Sequence, residues 1–111
     1  MDERLIGEWE SIKIEKHNQT LIPEQGKYNL IITKTSIRYN LEVNSCWLRG
    51  WSIESNEILS RNIPCTRVCC DDRKGTFYKN LQYTGHFKVS ESRNFLTINN
   101  EKGTFFLSRK K

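Results

Sequence analysis

Long apolar runs are missing from these 111 residues. The longest, such as Leu30-Ile31-Ile32, span only about three residues, against the roughly 20 that a helix needs to cross a bilayer. That excludes a membrane-spanning helix. The acidic opening Met1-Asp2-Glu3-Arg4 is followed by no apolar stretch of the kind a secretory leader carries. The compartment stays open on that point, because Met1 is either the native start or replaces a leader. Also missing are internal repeats, low-complexity segments and linkers, so residues 1–111 are expected to form one domain around one core. No glycine-rich phosphate loop and no dinucleotide fingerprint is present.

The means for catalysis are equally thin. Of the two histidines, His17 lies in a polar loop and His86 starts a strand, alternating outward from Phe87. No cysteine is accompanied by a glycine-rich turn able to form an oxyanion hole. The adjacent carboxylates Asp71-Asp72 fall where the first turn of a helix favours acid, which accounts for them without acid–base work. No catalytic residue, cofactor or metal is assigned, and the chain is read as a non-enzyme. A net charge of +5 would suit an anionic partner. However, the cations are scattered singly and the only run of three is Arg109-Lys110-Lys111. That scatter argues against nucleic acid.

What is present is a period of two. Ile37, Tyr39, Leu41 and Val43 alternate with Arg38, Asn40, Glu42 and Asn44, predicting a strand with one apolar face over 37–44. Tyr28, Leu30 and Ile32 precede it in the same phase. Ile12 and Ile14 repeat the pattern near the start, with Trp9 out of phase, which points to a bulge or to a strand beginning after Trp9. Further strands are predicted at 47–53, 57–63, 86–90, 95–99 and 104–109, with turn residues at 23–26, 54–56, 90–94 and 99–103. One segment departs: Phe77, Tyr78 and Leu81 share a helical face behind Asp71-Asp72, predicting one short helix. The fold expected is mainly β: a small antiparallel barrel, closed or partly open, of about eight short strands with one short helix.

Four cysteines, Cys46, Cys65, Cys69 and Cys70, allow three full pairings. A zinc site would want two Cys-x2-Cys units, which the adjacent Cys69-Cys70 and the isolated Cys46 do not supply. Disulfides and a buried reduced set both remain open. Seven aromatics (Trp9, Tyr28, Tyr39, Trp47, Trp51, Phe87 and Phe105) could point inward. An eight-stranded barrel is just filled by side chains or holds one small ligand, and this many rings favour filling. If a lumen does exist, Tyr28, Tyr39, Trp47, Trp51 and Phe87 are the candidates to line it.

Two resemblances add to this. Gly7-Glu8-Trp9, with Arg109 on the last strand, is similar to the lipocalin and calycin pattern, which implies that Arg109 packs across the Trp9 indole. The middle of the chain resembles the META domain typified by the HslJ heat-shock lipoproteins. The matching stretches are Asn44-Ser45-Cys46, Gly50-Trp51, Thr66-Arg67-Val68-Cys69-Cys70, and the closing Leu96-Thr97-Ile98 and Gly103-Thr104-Phe105-Phe106-Leu107. The order of Asn and Cys at 44–46 is reversed relative to that family, and Cys65 is extra. The META resemblance implies a Cys46–Cys70 disulfide and a non-enzymatic envelope protein, expected as a monomer, that acts through a protein or surface partner. The calycin resemblance implies a carrier of a small apolar molecule. A compact basic barrel also serves as an inhibitor or immunity protein, by analogy of fold alone.

Overall fold

In the computed structural model, residues 2–66 and 81–110 are described. A 3-10 turn at Glu3–Leu5 leads into ten strands: β1 Gly7–Lys16, β2 Gln19–Leu21, β3 Asn29–Ile32, β4 Ile37–Asn40 and β5 Ser45–Trp47, then β6 Ser52–Glu54, β7 Glu57–Leu59, β8 Gly85–Val89, β9 Phe95–Asn100 and β10 Gly103–Arg109. All pairings are antiparallel, in the order β5-β4-β3-β1-β10-β9-β8-β7-β6, with β2 extending β1. The sheet curls into a half-barrel, and the alternation seen in the sequence places one side of each strand against a shared core.

The two ends of that path meet. β5 and β6 are halves of one interrupted strand, and the chain after β7 runs back along both in the register of the β6–β7 hairpin. Ser52 pairs with Leu59, then Arg49 with Asn62 and Cys46 with Cys65. Backbone bonds follow the same line, Arg49 N to Asn62 O at 2.9 Å and Trp47 N to Pro64 O at 3.0 Å. Because β5 also pairs with β4 and β7 with β8, these two bridges tie the edges of the half-barrel together. The β7–β8 link is its thinnest part, with two paired residues.

Gly50, at φ 60°, explains why the segment expected as one strand over 47–53 is broken. A side chain there would also run into Arg61, which lies across the glycine. The expected strand 37–44 stops at Asn40 for a different reason. Leu41 N donates to Asn44 O at 2.7 Å, so 41–44 is the turn to β5, and Val43 is 50% exposed instead of inward.

The phase problem in β1 resolves as a bulge. The register to β10 shifts between Ser11 and Lys13, so Trp9, Ser11 and Ile14 all face the core while Ile12 is turned out. The inward Ser11 bonds the Tyr83 hydroxyl, which gives that fully buried phenol a partner. The expected short helix at 71–81 lies outside the described residues apart from Leu81, which is buried in the core.

Candidate functional site

The interior is occupied. Tyr39 stacks edge-on to Tyr83 at 4.9 Å between ring centres, and Tyr83 meets Phe105 in the same way at 5.9 Å. Tyr28 and Phe87 are buried beside them, as are Leu30, Leu96, Ile98 and Leu107. Burial pushes the Tyr39 hydroxyl up to about 12 and that of Tyr83 still further, the Ser11 hydrogen bond opposing the shift only in part. Of the five residues expected to line a lumen, Tyr28, Tyr39 and Phe87 are therefore core.

The other two lie elsewhere. Trp47 is paired with Arg38 across β4 and β5 on the outer face and is 40% exposed. Trp51 is half-buried and packs against the core from its edge. With Cys46 and Leu48 turned in, Trp47 and Arg49 project at alternate positions, and Trp51 follows just past the break at Gly50. Together they flank a depression of roughly 400 Å³, with Ile37 and Leu48 as its buried floor and Thr35 and Ser36 on the far side.

The far side is a built turn. Thr33 Oγ1 accepts from Ser36 N at 3.0 Å and Thr35 N at 3.3 Å, while Thr33 N donates to Ser36 O at 2.9 Å. Leu48 N donates to Ile37 O at 2.9 Å, tying the tryptophan strand to that turn. The cleft thus joins a planar aromatic surface, a guanidinium and hydroxyl groups on rigid elements.

A comparison with protein-family models, curated proteins and solved structures finds no match to this chain.

Arg109 lies with Cζ 4.1 Å from the centre of the Trp9 ring. Its guanidinium donates to three carbonyls, Ile6 O at 2.7 Å, Arg93 O at 2.6 Å and Arg4 O at 2.5 Å. The indole N–H of Trp9 donates to Leu5 O at 2.9 Å. Gly7 makes room for this arrangement, because a Cβ at its φ of 143° would collide with Arg109 Nη1. The contact caps one end of the barrel and is structural.

The cysteine pairing differs from the expected Cys46–Cys70. Cys46 is bonded to Cys65, with their Cα atoms 4.1 Å apart. The reason is register: Trp47 N to Pro64 O and Thr66 N to Ser45 O bracket the two cysteines as a non-hydrogen-bonded pair, the closest approach an antiparallel ladder offers. Cys69 and Cys70 lie outside the described residues, as do Asp71 and Asp72. His86 is exposed, opposite Glu57 and Asn99, beside a second, polar depression of roughly 330 Å³.

The sequence reading missed Arg38, Arg49, Thr35 and Ser36 as neighbours of the tryptophans. The signal available was Trp47-Leu48-Arg49 itself, since alternation puts its arginine on the face of its tryptophan. Ser11 and Tyr83 were missed too; only the bulge hinted at the first.

Proposed function

We propose that this chain is a non-enzymatic binding barrel that engages a macromolecular partner on its outer surface at the Trp47–Trp51 cleft. That is the mode the META-type reading implies, and the Gly7-Glu8-Trp9 start with its Arg109 clamp is compatible with it. One observation carries the proposal: the aromatics divide, with Tyr28, Tyr39, Tyr83, Phe87 and Phe105 packed inside and Trp47 and Trp51 beside Arg49 in an outer cleft. A small-molecule carrier would need the volume that those inner rings occupy.

Site-specific photocrosslinking tests it. A benzoyl-phenylalanine at position 47 should trap a partner in cells of the source organism, whereas one at Phe95, a more exposed aromatic on β9, should not. Equal yields from both positions would overturn the outer-cleft reading. Native mass spectrometry addresses the interior directly: the carrier reading requires a retained small molecule as added mass, and the bare chain mass is expected.

A further inference from the structure

We propose that the occupant of the Trp47–Trp51 cleft is single-stranded nucleic acid, its bases stacking on the tryptophans and its phosphates meeting Lys34, Arg38, Arg49 and Arg61. This rests on the outer-cleft reading above and names the chemistry of the partner. The cations are scattered along the chain, but two of them come beside the tryptophans in the fold and two more lie in the adjoining segments. Arg38 is the cross-strand partner of Trp47, and Arg49 stands between the two tryptophans. Arg61 N donates to Arg49 O at 2.9 Å and its side chain lies over Gly50, while Lys34 belongs to the turn that forms the far wall.

The segments that build this face, 33–38, 47–52 and 58–66, hold those four cations and no carboxylate. Among the described residues, ion pairs form elsewhere, Arg4 with Asp2, Lys13 with Glu15 and Lys110 with Glu8. Lys34, Arg38, Arg49 and Arg61 take part in none of them. Aromatic platforms flanked by positive charge that pairs with no carboxylate among the described residues are what unpaired bases and their backbone require. A duplex hides its base faces and offers Trp47 nothing to stack on. The Thr35 and Ser36 hydroxyls add donors for sugar or phosphate oxygens. A flat anionic bilayer would match the charge but not the concavity.

The test is a titration of the intact protein with a fluorescently labelled 12-mer of thymidylate, and with its uridylate counterpart to separate DNA from RNA. Saturable tryptophan quenching is expected, with log K falling against log salt at a slope of about −2 to −3 for up to four phosphate contacts. Trp47→Ala should weaken binding by roughly five- to hundredfold and leave that slope unchanged, while Trp47→Phe should restore most of the loss. Arg49→Gln, at an exposed position, should flatten the slope by about 0.7 even if Trp47→Ala fails to fold.

Absence of binding at low salt would overturn the proposal. So would equal binding of a duplex or of heparin with Trp47→Ala without effect, since that would be charge alone. Quenching by phosphatidylglycerol vesicles but not by either oligonucleotide would also overturn it. In that case, crosslinking from position 47 would still leave the outer-cleft reading standing.

Discussion

Arg109 concentrates several interactions in one side chain, since its guanidinium stacks on Trp9 and donates to three backbone carbonyls from two separate turns. Arg109→Ala is therefore expected to cost about 2 kcal/mol, because it uncovers the indole and leaves carbonyls without their donor. The side chain of its neighbour Lys110 makes an exposed ion pair with Glu8 at 3.5 Å, so Lys110→Ala, which keeps the backbone bond, should stay within about 0.5 kcal/mol. Urea unfolding of the two variants in parallel reads the difference. Ser11→Ala tests the bulge in the same way: with the Tyr83 hydroxyl left buried and unpartnered, a loss of about 1–3 kcal/mol is expected. Replacing Tyr83 by Phe in the Ser11→Ala background should recover part of it.

Among the elements, the β6–β7 hairpin and its continuation decide the most. The Cys46–Cys65 bond spans 19 residues, a loop whose closure is worth about 3 kcal/mol. Cys65→Ser, or reduction, should lower the melting temperature by about 10 °C. Peptide mapping without reductant should recover Cys46 joined to Cys65.

This pairing was not legible in the sequence, because it depends on a register set by a turn at Ser55-Asn56, both at positive φ, nine residues away from either cysteine. What was legible is whatever alternation writes locally. The inward Leu30, Ile32, Ile37 and Tyr39 follow it, as do Phe87 and Val89, and Leu96 and Ile98. The out-of-phase Trp9 pointed to a bulge or to a strand starting after it, and the bulge is what forms. Alternation says nothing about which face is in once a strand breaks, and so Trp47 and Trp51 were grouped with the core rings. The turn at 41–44 leaves Trp47 on the outer face, and Trp51, past the break at Gly50, is left half-buried against the core. The same blindness to tertiary pairing hid that Arg38 lies across from Trp47 and that Arg49 shares its cleft.

For the molecule as a whole, the buried phenols tie stability to alkaline pH. Tyr39 and Tyr83 hold their protons more tightly when folded than the ordinary value near 10, so below pH 10 their contribution is fully present. Between about pH 10 and 12 the unfolded chain releases protons that the native state keeps, and stability falls as pH rises. Spectrophotometric titration at the phenolate band should show these two tyrosines ionising only together with unfolding, as monitored by circular dichroism. Early ionisation with the β spectrum intact would contradict the packed interior.

The pairing of β1 with β10 carries a mechanical consequence. Trp9 lies opposite Arg109 and Lys110 N donates to Glu8 O at 2.8 Å, so both chain ends leave the barrel from the same end of one antiparallel ladder. A force applied between the termini loads those hydrogen bonds one after another, like a zipper, instead of shearing them together. The barrel should therefore open at low force even though it is chemically well packed. Once it has opened, the Cys46–Cys65 link would hold back 19 residues, so the oxidised chain should extend roughly 65 Å less than the reduced one in a single-molecule pulling experiment.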